Sequence, residues 1–163
     1  MKKIFLVIVG IFTTLLFANA QTAAPVVTEL RQLLKNAQNN FANDLGKKIE
    51  EDPATKNVFY EPVKPALEAD AFILHVDAGQ NMYILNYDCT GDKINKMIPI
   101  VEQYLDELNK MVKEGDYSGV DYKDKNGKAV TDIRDKAGNL ILRYTSVPAA
   151  QTIYVYGFIN GSK

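Results

Sequence analysis

Residues 94–115 read INKMIPIVEQYLDELNKMVKEG. Ile94, Met97, Ile98, Val101, Tyr104, Leu105, Leu108, Met111 and Val112 recur at steps of three and four, which lines one face of a helix for about five turns. Thr90 or Asp92 can cap its start, and Gly115 is placed to end it. Pro99 either kinks this helix or begins its regular part. Beyond Gly115 the chain has a period of two instead. Residues 120–124, 128–135, 140–146 and 152–159 are β-rich runs separated by Asn126-Gly127 and Ala137-Gly138-Asn139, which reads as a β-meander. In the last run Ile153, Val155 and Ile159 alternate with Tyr154, Tyr156 and Phe158, so both of its faces are apolar or aromatic.

The same order is found upstream. Leu30, Leu33, Leu34, Ala37, Phe41 and Leu45 predict an amphipathic helix over 26–45, with Gly46 as its left-handed cap. Residues 47–56 are charged and broken by Pro53, and read as a loop or a frayed helical turn. A short strand over 58–61 would lie at a sheet edge, because Pro62 and Pro65 bound it. Residues 67–77 and 82–88 form the next pair of strands around Ala78-Gly79-Gln80-Asn81. Phe72, Leu74 and Val76 share one face of the first, and Tyr83, Leu85 and Tyr87 one face of the second. The expected fold class is α+β: one antiparallel sheet packed on one face by two helices, in the order α-β-β(-β)-α-β-β-β. A duplicated α-β unit is an alternative reading. It rests on Tyr83-Ile84-Leu85-Asn86-Tyr87 after one Gly turn and Leu140-Ile141-Leu142-Arg143-Tyr144 after another. Turn and strand chemistry alone also makes hairpins look alike.

Residues 1–20 have the parts of a secretory leader in order. Lys2 and Lys3 precede an apolar run, and Ala18-Asn19-Ala20 is a small-residue cleavage site. The run falls short of the roughly 20 apolar residues that span a bilayer. Residues 21–163 are then expected as a single α+β domain, exported to the periplasm or beyond the cell, with no stable membrane insertion. Losing two of 19 basic residues with the leader leaves 17 against 20 acids, a net charge of −3. Such a chain has no electrostatic reason to bind nucleic acid, whose affinity comes from neutralising phosphates. Cys89 is the only cysteine, so no intrachain disulfide forms and packing must hold the fold.

Catalytic signatures are wanting. His75 is the only histidine, and no G-x-S-x-G elbow accompanies it. One His and one Cys cannot make a structural zinc site. Asp121 to Gly127 fails the EF-hand register, which would need Glu where Ile133 stands. No metal or other cofactor is expected. The aromatics are the remaining lead: Tyr83, Tyr87, Tyr144, Tyr154 and Tyr156 fall on strands, and a tyrosine offers an apolar body with a polar tip. These five are the candidate binding residues of an exported, non-enzymatic binding or adaptor domain, whose partner is a protein, a peptide or a small ligand. The alternatives are a small exported enzyme whose site is assembled from His75, Cys89 and nearby carboxylates, and an envelope subunit that self-associates through the edge of the meander.

Overall fold

The computed structural model describes residues 23–76, 79–88, 90–147 and 152–158, with residues 23, 24, 146, 147 and 152–158 described by backbone alone. Helix α1 (Ala23–Ala37) precedes strands β1 (Leu45–Glu51), β2 (Val58–Pro62), β3 (Asp70–Val76) and β4 (Gln80–Asp88). A 3-10 turn, Gly91–Lys93, leads into α2 (Ile94–Lys113), which precedes β5 (Ser118–Lys123), β6 (Ala129–Arg134), β7 (Leu140–Val147) and β8 (Thr152–Phe158). All eight strands join one antiparallel sheet in the order β1-β2-β3-β4-β8-β7-β6-β5. The α+β class and the two-helix arrangement are as expected, with four strands after each helix.

That strand order is a duplication in space. Two four-stranded meanders, each preceded by its helix, meet back to back where β4 pairs with β8 from Met82↔Phe158 to Asp88↔Thr152. The counterpart of β4 is therefore β8, and that of β7 is β3. The likeness between 83–87 and 140–144 matches β4 with β7, one strand out of step with this symmetry. Turn chemistry produced it.

Both helices cover the same sheet face. Val26, Leu30 and Leu34 of α1 and Met97, Val101, Tyr104 and Leu108 of α2 are buried with Ile73, Tyr83, Leu85, Tyr87, Ile133 and Leu142 of the strands. Between the helices, Arg31 Nε donates to Glu107 Oε1 at 2.9 Å. Pro99 lies inside α2, which begins five residues earlier at Ile94. Gly115, at φ 81°, ends α2 in the left-handed conformation that a side chain would resist.

The first half departs from expectation in three places. Strand β2, expected at a sheet edge, is internal, held between β1 and β3 because the charged run before it is itself a strand. Helix α1 stops at Ala37, not at Leu45. Asn36 Nδ2 donates to both carboxylate oxygens of Asp44, at 2.9 and 2.8 Å, and Asn40 and Phe41 adopt φ of 54° and 52°. Asparagine tolerates that region, whereas Phe41 enters it at a cost and is fully buried against Tyr83, ring centroids 5.5 Å apart. Phe41 thus reaches the core as its spacing suggested, but from a turn. The charged run after it is a loop only in its second half: Leu45–Glu51 is an edge strand, and a turn over 52–57 leads into β2. Gly46 is not a helix cap but lies in this strand, where an added Cβ would come within 2.6 Å of the Glu61 carbonyl oxygen.

Neither Thr90 nor Asp92 caps the second helical segment through its side chain. Thr90 makes no side-chain cap; instead Asp88 fixes the turn before the segment, accepting from Thr90 N at 3.0 Å, Thr90 Oγ1 at 2.6 Å and Lys93 Nζ at 2.8 Å. The Lys93 hydrogen bond and then those of Thr90 hold the Asp88 carboxyl down at about 2. A depressed carboxyl stabilises the fold fully above its unfolded value, about 3.9. The contribution fades as pH falls from about 4 toward 2. Carboxyl-detected NMR titration should find the Asp88 midpoint near this low value in the wild type and displaced upward in Lys93→Ala. An unchanged midpoint would detach Lys93 from the effect.

Candidate binding surface

Side chains alternate across a strand, so Tyr83, Leu85 and Tyr87 under the helices put Met82, Ile84 and Asn86 on the opposite face. Register extends that face outward. Phe59 of β2 pairs with Leu74 of β3, Leu74 with Met82, and Phe72 with Ile84. Phe59 and Phe72 touch at a ring-centroid distance of 5.7 Å and a tilt of 49°. Ile84 is buried, while Phe59, Phe72, Leu74 and Met82 remain part-exposed.

The other half of this face is polar. Asp132 of β6 and Arg143 of β7 stand directly opposite each other. Arg143 donates through Nε to Oδ1 at 2.7 Å and through Nη2 to Oδ2 at 3.0 Å, a fork that suits a planar guanidinium. Arg134 adds a third contact, 3.5 Å from Oδ2. The Arg143 guanidinium also lies 6.0 Å from the centre of the Tyr122 ring on β5. Asp132 is only 4% exposed, so a buried carboxylate is compensated by two arginines.

Of the five candidate tyrosines, the three whose side chains are described lie on the helix side. Tyr83 and Tyr87 are 4% and 0% exposed beneath the helices, and Tyr144 packs part-buried against the same core. Tyr83 and Tyr87 are thereby withdrawn from the accessible surface: alternation put them in phase with Leu85, and the helices cover that phase. Burial pushes the phenols of Tyr83, Tyr87 and Tyr104 above the ordinary tyrosine value. Tyr104 donates its hydroxyl to Glu29 Oε2 at 2.6 Å, and Leu67 N donates to Glu29 Oε1 at 2.8 Å. A recess lined by Tyr87, Val101, Tyr104, Leu105, Leu108 and Tyr144 measures about 10 Å³, at the lower bound for one water. In the backbone of β8, position 154 pairs with Asn86 and Thr145, and position 156 with Ile84 and Arg143. These two positions run along the helix-free face, though their side chains lie outside the described residues.

His75 lies at the far end of the β3–β4 hairpin, with Nδ1 2.6 Å from Asn81 Oδ1. Asn81 is buried and donates its own Nδ2 to Asn40 O at 2.7 Å, so its carbonyl oxygen is free to accept from the imidazole. An amide, not a carboxylate, thus orients this ring. Asp88 is seven residues along β4 from Asn81, roughly 23 Å at strand rise. Cys89 lies outside the described residues. In the β5–β6 turn, the Asp124 carboxylate accepts from Asn126 N and Lys128 N, at 2.8 and 2.9 Å, and Asp121 accepts from Thr131 Oγ1 at 2.6 Å. Among the described residues no group of three His, Cys, Asp or Glu side chains could hold a metal ion, and no helix is long and apolar enough to cross a membrane.

None of Phe59, Phe72, Asp132 and Arg143 was among the candidate binding residues read from the sequence, although Phe72 was placed on an apolar strand face. The signal available was a charge three residues into each of two largely apolar strands, Asp132 within 129–134, which also ends on Arg134, and Arg143 within 140–147. No protein-family model, no curated protein and no solved structure matches the chain.

Proposed function

We propose that residues 1–20 direct this chain out of the cytoplasm, that it is cut after Ala20, and that the mature protein is a non-enzymatic binding module holding a partner protein on its helix-free sheet face. One observation supports the reading above others: both helices lie on the same side of the eight-stranded sheet, and among the described residues no element covers the other side. That side joins part-exposed apolar residues, Phe59, Phe72, Leu74 and Met82, to the Asp132–Arg143 pair and Tyr122. An apolar centre beside a polar border, with aromatics and Arg enriched, is the composition of protein-binding surfaces. The recess under α2, at about 10 Å³, is far smaller than the roughly 300 Å³ or more of organic-ligand pockets.

The test compares captured partners. The mature form, cross-linked in its own cell envelope, should retain a partner that Met82→Glu loses and Ile98→Glu keeps, since Ile98 is exposed on α2, away from this face. Circular dichroism establishes that both variants fold. Capture unaffected by Met82→Glu but abolished by Ile98→Glu would move the binding site to the helices. The native protein should begin at Gln21 by mass spectrometry, and a retained Met1 would overturn the export part of the proposal.

A further inference from the structure

The two outer strands, β1 and β5, hold equivalent places in the duplicated sheet and are built differently. An exposed strand edge presents unpaired N–H and C=O groups to any other strand, and proteins guard such edges with bulges and charges. β1 is guarded. Its register to β2 shifts twice, between Leu45 and Lys48 and between Lys48 and Glu50, and Lys48 is tied to Glu51 at 2.7 Å. β5 is not guarded in that way. Its pairing with β6 runs unbroken from Ser118↔Arg134 to Lys123↔Ala129, and Val120 and Tyr122 are 49% and 39% exposed.

The direction of its free groups follows from the register. Asp124 N donates to Lys128 O at 2.9 Å. Hydrogen-bonded and non-hydrogen-bonded pairs alternate in an antiparallel ladder, so residues 122, 120 and 118 are bonded to β6. The main-chain N–H and C=O groups of Gly119, Asp121 and Lys123 therefore point away from the sheet.

The geometry points to a second copy of this chain as the occupant of that edge. Two β5 strands related by a twofold axis at Tyr122 pair antiparallel, with Asp121 of each copy opposite Lys123 of the other. Both are residues with outward main-chain groups, so each such pair exchanges two backbone hydrogen bonds and sets opposite charges side by side. Tyr122 faces Tyr122 at the centre on the helix-free side. Shifting the axis to Asp121 would instead oppose two carboxylates, and like charges directly opposite are destabilising. Because β1 is guarded, the contact closes as a twofold dimer with one continuous sheet and does not propagate. It needs nothing bound on the helix-free face, although Tyr122 borders both surfaces.

So short a contact is weak, with a dissociation constant on the order of 100 µM. Analytical ultracentrifugation of residues 21–163 over a concentration series should show a reversible monomer–dimer equilibrium. Asp121→Lys and Lys123→Asp should each weaken it about tenfold or more, because each creates two like-charged pairs. The double variant exchanging the two charges should restore it. Both side chains are exposed, so all three variants should keep the wild-type circular dichroism spectrum. Tyr122→Cys in a Cys89→Ser background should form an interchain disulfide, since facing residues of a non-bonded pair stand about 4.5 Å apart at Cα. Val120→Cys should not. A chain that stays monomeric at millimolar concentration, or a dimer indifferent to both single reversals, would overturn the proposal.

Discussion

The Tyr104→Ala variant is expected to unfold about 10–20 °C below the wild type. Tyr104 is 2% exposed and stands edge-on to Tyr87, ring centroids 6.0 Å apart at 62°. It is where α2, α1 and the sheet meet, since its ring packs on β4 and its hydroxyl reaches Glu29 of α1. Truncating a buried aromatic removes its transfer free energy and leaves a cavity, about 3–5 kcal/mol together. The recess beside Tyr104 would merge with that cavity, so collapse would not recover the loss. For a domain of this size each kcal/mol is worth about 4 °C. Tyr104→Phe separates the two contributions. It keeps the ring and removes the hydroxyl with its hydrogen bond to Glu29, and should cost about 1–2 kcal/mol. Should alanine and phenylalanine prove equally stable by calorimetry, ring packing would not be what joins the layers.

The second large effect is expected at the charged pair on the opposite face. Arg143→Met should destabilise the protein by about 2–4 kcal/mol, because it leaves the buried carboxylate of Asp132 with two longer contacts, to Arg134 and to the Tyr122 hydroxyl, each at 3.5 Å. Replacing both partners should be less harmful than replacing Arg143 alone. In Asp132→Leu with Arg143→Met the buried carboxylate is gone, part-exposed Arg134 keeps its hydrogen bond to Gly138 O, and apolar side chains join a strand face that already carries Val120 and Tyr122. Urea unfolding of the two single variants and the double variant gives the coupling directly. Additive single and double effects would show that the two side chains act separately. The pair thus ties β6 to β7 while presenting part of Arg143 to solvent, and this couples stability to the surface proposed for binding.

Local spacing was enough wherever a segment's own neighbours decide its structure. Helix α2, the hairpin at Gly127, the end of α2 at Gly115 and the strand meander after it all come from apolar periodicity and turn residues. Failures came where a contact outside a segment's own periodic pattern outweighed that pattern. The Leu45–Glu51 strand has the composition of a charged loop, and is extended because β2 offers its edge. Phe41 continues the helical spacing of α1, yet the Asn36–Asp44 bridge turns the chain first. The tyrosines show the same limit. Their alternation along β4 was visible, but which phase the helices cover was not.

What the chain's order of residues determined by itself was the class of fold: two amphipathic helices, each leading a series of strands, with its greasy stripes already marked. What only the tertiary structure decided was the joining of β4 to β8, the burial of Tyr83 and Tyr87, and the meeting of Asp132 with Arg143. Periodicity reports which side of an element is apolar. It carries no information on which strand becomes its neighbour, and burial and charge pairing across a sheet are properties of neighbours.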